Sequence, residues 1–299
     1  MRDIAIGIDL GGTRIKAAAV HSDGGVVEQC YFPTNDASDA TWKETVATAV
    51  SRLATTFGSA ETIVGISAPG LPSRDHCAIS FMPGRMQGLE NFSWREHLGR
   101  PAYVLNDAVA ALMAETMSGA AMGRKNVVML TLGTGVGGAI LINGEPYLGA
   151  FNKAGHIGHM VIDHQGQCDV TGIPGSLEDC IGNCSIEKRS AGKFASTHAM
   201  LDAYRAGDGF ARELWLRSVR QLAIALASLT NILSPEMFVI GGGVAEAGDL
   251  LFQPLGEYMD EYEWRAGGGK VEICKAAHGD MAGSLGAASF AMHQSGKAK

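Results

Sequence analysis

The sequence predicts an α/β protein made of two similar domains with a cleft between them. A strand, a glycine-rich turn and a second strand occur at residues 3–20 and recur at 126–142. Amphipathic helical stretches, such as 42–57 and 212–233, follow these strand pairs. The chain has 299 residues, of which 46% are hydrophobic, which is enough apolar material for two cores. We therefore interpret the chain as a duplicated domain.

Strands and helices alternate through the first half. Apolar alternation and buried runs predict strands at 3–9, 15–20, 26–32, 63–67 and 103–105 and helices at 42–57 and 107–117. Residues 68–95 contain closely spaced prolines and glycines and are predicted to form loops.

The second half repeats this pattern. We predict strands at 126–132, 136–142, 145–148, 237–240 and 270–275 and helices at 212–233 and 282–293. The last helix is expected to return to the first half. The predicted domains are therefore a small N-terminal domain, residues 1–118 plus 283–299, and a large domain, residues 119–282.

Composition excludes several classes of protein. The formal net charge of −7 and the lack of a Lys/Arg cluster argue against a nucleic-acid partner. No run of about 18 apolar residues exists, so no membrane association is expected. Asp3 and Asp9 interrupt the apolar N-terminal stretch, which is therefore no signal peptide. The six cysteines are scattered, and in the absence of an export signal they are expected to be free thiols of a cytoplasmic protein.

The first glycine turn, residues 9–16, has the composition of an anion site. Gly11 and Gly12 allow a sharp bend whose N–H groups can approach a phosphate. Thr13 adds a hydroxyl and Lys16 a positive charge, while Asp9 is placed to hold Mg²⁺ through water. An ordinary hairpin turn is the alternative interpretation.

The second glycine turn, residues 131–138, also joins two predicted strands. Thr131 and Thr134 provide hydroxyls, and Gly133 and Gly135 provide bare backbone, which suits a β,γ-phosphate contact. No helix follows directly, so the turn is neither a P-loop nor a dinucleotide fingerprint. A bulged hairpin is the alternative.

A third glycine cluster ends the strand at 237–240. Backbone as bare as that of Gly241, Gly242 and Gly243 can lie against a base or a ribose. The small residues at 283–287 could form the opposite wall of the same site. Each motif is weak by itself, but one turn per half facing a shared cleft indicates a nucleotide-binding protein.

With these motifs in order, the sequence resembles the ROK family (repressors, open reading frames and sugar kinases) of the actin-like/hexokinase superfamily. The resemblance implies ribonuclease H-like/actin-like ATPase domains and a kinase that transfers the γ-phosphate of ATP, with Mg²⁺, to a sugar hydroxyl. A homodimer is common in the family. Since the phosphate motif stands at the start of the chain, we expect no DNA-binding segment before it. The resemblance rests on DLGGTRIK at 9–16, APG at 68–70, LNDAVAAL at 105–112, TLGTGVGGAI at 131–140, AGHIGHMVID at 154–163, GSLE at 175–178, IGGGV at 240–244 and AGSLGAA at 282–288.

Asn106 and Asp107 stand where a predicted strand meets a predicted helix. The Asp107 carboxylate at such a junction can accept the proton of an attacking hydroxyl or can cap the helix. The resemblance assigns the base role to Asp107 and a sugar-hydroxyl contact to Asn106, with O6 of a hexose or an (N-acetyl)hexosamine as the default acceptor. A catalytically inactive sugar or nucleotide sensor on the same fold is the alternative function.

The segment 154–180 departs from the family pattern. In the family a histidine and three cysteines of this segment hold a structural zinc. Here Asp169, Thr171 and Ser176 take the three cysteine positions, and such hydroxyls are poor zinc ligands. We therefore predict no structural zinc and a loop braced instead by hydrogen bonds among these three side chains and the backbone.

Other cysteines could rebuild a metal site. Cys168, Cys180 and Cys184 with His159 would make a Cys₃His set, but their spacing matches no standard ligand pattern. Buried free cysteines that behave as small hydrophobes are the favoured interpretation.

The resemblance also implies sugar contacts by His156, His159 and Glu178. His159 and Glu178 are the residues of the family pattern, whereas His156 replaces a glutamate. Glutamate only accepts hydrogen bonds, while a neutral imidazole both donates and accepts. Pro83-Gly84-Arg85 replaces a motif whose asparagine reaches the sugar, and Arg85 is a candidate for that contact or a solvated loop residue. Both changes weaken the case for plain glucose.

Overall fold

The structure, a computed structural model, describes residues 4–34, 41–57, 62–82 and 86–297. The chain forms two compact units. One comprises Met1–Gly123, Leu148–Lys153 and Ala277–Lys299, and the other comprises Arg124–Tyr147 and Ala154–Ala276. Arg85 and its two predecessors lie outside the described residues. Within the described ranges, every helix is too short or insufficiently apolar to cross a membrane.

The first unit is centred on a five-stranded sheet in the order β3-β2-β1-β4-β7. The pairs β1–β2 and β2–β3 are antiparallel, whereas β1–β4 and β4–β7 are parallel. The strands are β1 (Ile4–Leu10), β2 (Arg14–His21), β3 (Val26–Pro33), β4 (Ile63–Ala68) and β7 (Ala102–Asn106); β5 (Leu71–Pro72) and β6 (Ile79–Phe81) form a separate small sheet.

Helices cover the sheet of this unit. The amphipathic helix α1 (Trp42–Phe57) packs its apolar face on the strands, and the ring centroid of Trp42 at its start lies 5.8 Å from that of Trp94. Another helix, α9 (Ala282–Lys297), crosses β1 and β4 so closely that a Cβ at Gly65 would overlap the backbone of α9. The last helix thus packs on the sheet of the first unit. The helices are α1 (Trp42–Phe57), α2 (Trp94–Leu98), α3 (Asp107–Ser118) and α9 (Ala282–Lys297).

The second unit repeats the arrangement with the order β10-β9-β8-β11-β12. The pair β8–β9 is antiparallel, and β8–β11 and β11–β12 are parallel. Its strands are β8 (Val127–Leu132), β9 (Val136–Ile142), β10 (Glu145–Pro146), β11 (Met237–Gly241) and β12 (Glu272–Lys275); its helices are α4 (Leu177–Ile181), α5 (Ile186–Arg189), α6 (Thr197–Arg205), α7 (Gly209–Leu233) and α8 (Asp249–Tyr262).

The core of this unit lies between the sheet and the long helix α7. The Trp215 side chain of α7 is fully buried, and its indole N–H donates to the carbonyl of Leu250 at 2.8 Å. Because both units share strand order and strand direction, the predicted duplicated α/β fold is confirmed.

Several elements differ from those predicted. The region 68–95, predicted to be loop, contains β5, β6 and α2. Helices α4, α5, α6 and α8 have no counterpart in the prediction; the first two have five and four residues, and α8 carries an internal proline, Pro254. Such short or interrupted helices give little periodic signal. The strand predicted at 145–148 is limited to Glu145–Pro146.

Candidate functional site

The first glycine turn lies beside a cavity of about 250 Å³ in the first unit. The turn closes the β1–β2 hairpin, and the predicted strand–turn–strand arrangement is observed. Five predicted site residues line the cavity: Asp9, Gly11, Gly12, Lys16 and Asp107. Thr13 is exposed on the turn. The remaining lining residues are Leu10, Pro69, Gly279, Asp280 and Gly283.

Asp9 is held firmly at the end of β1. The Ser67 hydroxyl donates to Oδ1 at 2.8 Å, and Lys16 Nζ lies 3.3 Å from Oδ2. At Gly283, in the first turn of α9, an added Cβ would overlap the Asp9 carboxylate. Mg²⁺ keeps several of its waters in most protein sites, so one fixed carboxylate beside a cavity fits a water-mediated contact.

Lys16 lies between two carboxylates. Its Nζ is 2.9 Å from Oδ1 of Asp280 and donates to the Asp280 carbonyl at 2.8 Å, in addition to its contact with Asp9. Burial alone lowers the pKa of Lys16, but the hydrogen bonds and charges of Asp280 and Asp9 outweigh burial and raise it above its ordinary value. Lys16 is therefore a permanent cation beside the glycine turn.

Asn106, not Asp107, is the N-cap of α3. Its Oδ1 accepts from the Ala108 N–H at 2.9 Å, and its Nδ2 donates to the Gly70 carbonyl at 3.1 Å. The helix-cap interpretation of Asp107 is therefore wrong, although Asp107 Oδ1 also accepts from Ala108. The Asn106 amide also donates to the Asp107 carboxylate, so one lone pair of its oxygen is left to serve a ligand.

Asp107 is the first residue of α3 and faces the cavity. Water reaches its carboxylate there, but surrounding protein atoms displace part of its hydration. This desolvation and the nearby negative charge of Asp9 raise the pKa of Asp107, while hydrogen bonds from Ala108 and Asn106 oppose the rise. A carboxylate with a raised pKa is a stronger proton acceptor than an ordinary aspartate.

The second glycine turn closes the β8–β9 hairpin, as predicted. The Gly133 N–H donates to the Gly135 carbonyl at 2.9 Å. The carbonyls of Gly133 and Thr134 accept from the N–H groups of Asn183 and Cys184 at 3.0 and 2.7 Å. The turn is thus held by the segment that follows α4, and Thr134 is exposed at its tip.

A cavity of about 500 Å³ adjoins this turn within the second unit. Gly133, Thr134 and Gly243 line it, whereas Gly241 is buried within β11, and Thr131 and Gly242 are not among its walls. Thr197 also lines it, but its hydroxyl oxygen is buried from solvent and has no hydrogen-bond partner among the described residues. The other lining residues are Asn183, His198, Leu201, Arg205, Val244, Glu246 and Ala247.

Glu178 and Gly158 both contact Val136 at the start of β9. Glu178 Oε2 accepts from the Val136 N–H at 2.9 Å. On the other side, Gly158 lies so close that an added Cβ would overlap the Val136 carbonyl. His156 and His159 flank Gly158 with half-buried rings whose centroids are 6.4 Å apart. Glu178 and the segment that carries His156 and His159 thus both lie against Val136 of the second glycine turn.

The hydrogen bonds predicted to brace the segment 154–180 are present. Asp169 Oδ1 accepts from the Thr171 N–H, the Thr171 hydroxyl and the Ile173 N–H at 2.8, 2.7 and 3.1 Å. Desolvation raises the pKa of Asp169, but hydrogen bonds from Thr171, Ser176 and Ile173 outweigh it and hold the pKa well below the usual range. Asp169 is therefore ionised at neutral pH.

The cysteines considered for a metal site have different surroundings. Cys180 is buried, and burial raises its pKa to about 11, whereas Cys168 and Cys184 are exposed. Within the ranges that the structure describes, no three His, Cys, Asp or Glu side chains are grouped so as to hold a metal ion. The alternative Cys₃His set with His159 is accordingly not assembled.

Sequence reasoning missed several lining residues. Asp280 stands two residues before α9, next to the small-residue motif, and its glycine neighbour could have indicated it. Asn183 and Thr197 lie on short elements that local periodicity does not reveal. Their location depends on tertiary packing.

The chain belongs to the ROK family, whose model matches residues 5–294. It is 31% identical over 311 residues to a glucokinase from Thermotoga maritima, covering 95% of this chain and 96% of that protein. It is 30% identical over 250 residues to an N-acetylmannosamine kinase from Escherichia coli, covering 81% and 84%.

Solved structures agree. A ROK hexokinase from Thermus thermophilus has a TM-score of 0.88 at 30% identity, with 98% of this chain and 99% of that chain covered. A ROK family glucokinase from Streptomyces griseus in complex with glucose and AMPPNP has a TM-score of 0.77 at 26% identity, with 97% and 99% covered. The actin-like ATPase fold implied by the resemblance is confirmed.

Proposed function

We propose that this protein transfers the γ-phosphate of ATP to the 6-hydroxyl of a hexose or an (N-acetyl)hexosamine, with Asp107 as general base. The enzyme class, a carbohydrate kinase of the ROK family, follows from the family match and from glucokinases that align over nearly the whole chain. The observation that carries the finer proposal is the cavity shared by Asp107, Asp9, Lys16 and the first glycine turn.

In the proposed step, the sugar hydroxyl gives its proton to the Asp107 carboxylate while its oxygen bonds to the γ-phosphorus. The bond between that phosphorus and the bridging oxygen breaks, and its electron pair leaves with ADP. The protein mainly positions groups and neutralises charge in such transfers. The raised pKa of Asp107 favours its role as proton acceptor.

The phosphates need cations and N–H donors. The backbone of Gly11 and Gly12, the Thr13 hydroxyl and the Lys16 ammonium are suited to them. Asp9 would hold Mg²⁺ through water, and the ion, when bound, neutralises phosphate charge.

The second unit provides groups for the rest of the nucleotide. Thr131, Gly133, Thr134 and Gly135 supply hydroxyls and bare backbone to phosphates. The 500 Å³ cavity, bounded by Gly243, suits the adenosine. Gly242 lies so close to the backbone of Leu132 that an added Cβ would overlap it, and we assign Gly241 and Gly242 with Gly243 to this side of the nucleotide site.

Asn106 is assigned to a sugar hydroxyl next to the reacting one, and the other sugar hydroxyls are assigned to His156, His159 and Glu178. The imidazole of His156 can donate to a carbonyl oxygen, which a glutamate cannot do. An N-acyl substituent offers such an oxygen, and one relative is named for an N-acetylated sugar. Hexosamine derivatives therefore belong in the substrate screen beside glucose and mannose.

The test is an ADP-release assay with Mg-ATP against hexoses, hexosamines and N-acetylhexosamines, with the product's phosphate position read by NMR. Asp107→Asn is expected to lower kcat at least 10³-fold, near the upper range of general-base catalysis, while nucleotide affinity by calorimetry stays within about twofold. Asp249→Asn, at an exposed position in the first turn of α8, is the matched control and should keep wild-type turnover.

Near-normal turnover in Asp107→Asn contradicts the assignment of Asp107 as general base. A product phosphorylated on another oxygen contradicts the assignment of O6 as the acceptor. A protein that binds sugar or nucleotide but phosphorylates no sugar in the panel would favour the sensor alternative, which His156 in place of a glutamate motivates.

A further inference from the structure

The side chain of His159 contacts that of Asp169. Nδ1 of the imidazole lies 3.4 Å from Oδ2 of the carboxylate, at the long end of the hydrogen-bond range. Asp169 is 2% exposed in its side chain, whereas His159 is 35% exposed. Among the described residues, no hydrogen-bond partner meets Nε2 of His159, so this nitrogen is free to bind a ligand.

The two carboxylate oxygens of Asp169 have separate tasks. Oδ1 accepts three hydrogen bonds from Thr171 and Ile173, and the Ser176 side chain also bonds the carboxylate, so that the Asp169 side chain is fixed in the loop. Oδ2 is thereby directed at His159. An ionised carboxylate can only accept hydrogen bonds, so the contact is favourable only when Nδ1 carries a proton.

We propose that Asp169 is a positioning residue that orients His159 and keeps its proton on Nδ1, so that Nε2 presents a lone pair to a sugar hydroxyl. The inference rests on the proposed function, in which His159 contacts the sugar. The partner of one ring nitrogen decides the state of the other, as it does for histidines held by carboxylates in metal sites. Asp169 thus both braces the loop and sets the hydrogen-bonding direction at the sugar.

This arrangement restricts the substituent that a bound sugar can present to Nε2 of His159. A ring nitrogen that accepts requires a donor, so the sugar must present a hydroxyl at this position. A substrate with hydrogen or fluorine in place of that hydroxyl leaves Nε2 unpaired and should bind more weakly. A substrate with an ether oxygen there should be rejected for the same reason.

The direct test is NMR of protein labelled with ¹⁵N-histidine, because the ring ¹⁵N shifts distinguish the two tautomers. His159→Ala identifies the signals. The wild type is expected to carry the Nδ1–H tautomer. In Asp169→Asn, the amide oxygen should accept the hydrogen bonds that Oδ1 accepts in the wild type. The NH₂ group then points toward Nδ1 of His159, donates to it and favours the Nε2–H tautomer. A wild-type proton on Nε2, or the same tautomer in both proteins, overturns the inference.

Kinetics separate positioning from simple bracing. Asp169→Asn is expected to raise the sugar KM about tenfold, the loss of roughly one hydrogen bond, with kcat and the ATP KM within twofold of wild type. Thr171→Val removes a hydroxyl donor to Asp169 but leaves the contact with His159. It should leave the sugar KM unchanged, and an equal rise in both variants would mean that Asp169 acts only by bracing.

A double variant completes the test. In a His159→Ala background, Asp169→Asn should have no further effect on the sugar KM, and an undiminished effect there contradicts the inference. An unchanged sugar KM in His159→Ala itself contradicts the proposed sugar site instead, and the tautomer measurement then decides the role of Asp169 alone.

Discussion

The Oε2 atom of Glu178 accepts a hydrogen bond from the Val136 N–H at 2.9 Å and so joins the start of α4 to the end of the second glycine turn. Gly135 precedes Val136, and an added Cβ at Gly135 would overlap the same carboxylate oxygen. A residue assigned to the sugar and a turn assigned to the phosphates therefore share one contact. A substitution at Glu178 or in the turn should therefore impair the use of both the sugar and ATP.

Gly135→Ala tests this coupling. The methyl group must displace Glu178 or the turn, and a displacement of about 1 Å near reacting groups can cost on the order of 100-fold in rate. We expect kcat/KM to fall by about that factor for both the sugar and ATP, measured by ADP release.

The matched control is Gly256→Ala in the interior of α8, where an added Cβ meets no atom within 4 Å. Alanine favours a helix interior over glycine by roughly 0.5–1 kcal/mol, so this variant should be slightly more stable and fully active. A Gly135→Ala enzyme with wild-type kinetics for both substrates would contradict the proposed coupling.

The Glu115 carboxylate, like that of Glu178, holds backbone segments together by accepting hydrogen bonds from their N–H groups. It is fully buried in α3 and accepts hydrogen bonds from the N–H groups of Ala120, Ala277 and His278 at 2.7, 3.1 and 2.7 Å. Glu115→Ala leaves three backbone donors unpaired, each costing about 1–3 kcal/mol where water does not replace the carboxylate. We expect the free energy of unfolding of the first unit to fall by about 4 kcal/mol in urea titration.

Two variants keep this result interpretable. Glu115→Gln retains one acceptor oxygen and should lose roughly half as much stability. Glu44→Ala removes a carboxylate that is 78% exposed and should change stability by less than about 0.5 kcal/mol. Similar losses in Glu44→Ala and Glu115→Ala would count against the buried network.

The repeated strand–turn–strand unit could be read from the sequence because it depends on local periodicity and on glycine at bends. The brace around Asp169 was also predictable, since Asp169, Thr171 and Ser176 are close in the chain. Lys16 and Asp280 lie 264 positions apart, and their ion pair depends on where α9 packs. Periodicity carries no information on such a contact.

The helix cap at Asn106 shows a different limit. Asparagine and aspartate both favour the N-cap position, so two adjacent candidates leave the boundary of a helix uncertain by one residue. The backbone resolves it, because Asn106 is extended and Asp107 begins α3. The unpaired Thr197 hydroxyl likewise emerges only when the packing around it is known.

The raised pKa of Asp107 predicts a pH dependence. Only the deprotonated carboxylate can accept a proton, so kcat/KM for the sugar should fall as pH decreases through this pKa. Since the pKa lies above that of an ordinary aspartate, the fall should occur above about pH 4. Asp9→Asn removes a negative charge that raises the pKa of Asp107, so the acidic limb should move to lower pH, whatever the loss in kcat.

The measurement is a pH profile at saturating Mg-ATP for the wild type, Asp9→Asn and the surface control Asp249→Asn. The control should overlay the wild-type profile after scaling, because titration of the nucleotide is common to all three. If the acidic limb of Asp9→Asn lies at the same pH as that of the wild type, Asp107 is not the group whose titration produces the limb.

Thiol chemistry tests the interpretation of Cys180 as a small buried hydrophobe. With a pKa of about 11, roughly one Cys180 thiol in a thousand is ionised at pH 8, and the thiolate is the reactive form. Iodoacetamide at pH 8 should therefore label the exposed Cys168 and Cys184 well before Cys180, as read by peptide mass spectrometry. Incubation with EDTA should alter neither the labelling order nor the activity after Mg²⁺ is restored. The contrary result is about one equivalent of zinc in the purified protein, with Cys168 and Cys184 protected from labelling until the zinc is removed. That result would show that these thiols bind zinc and that hydrogen bonds around Asp169 do not replace the metal.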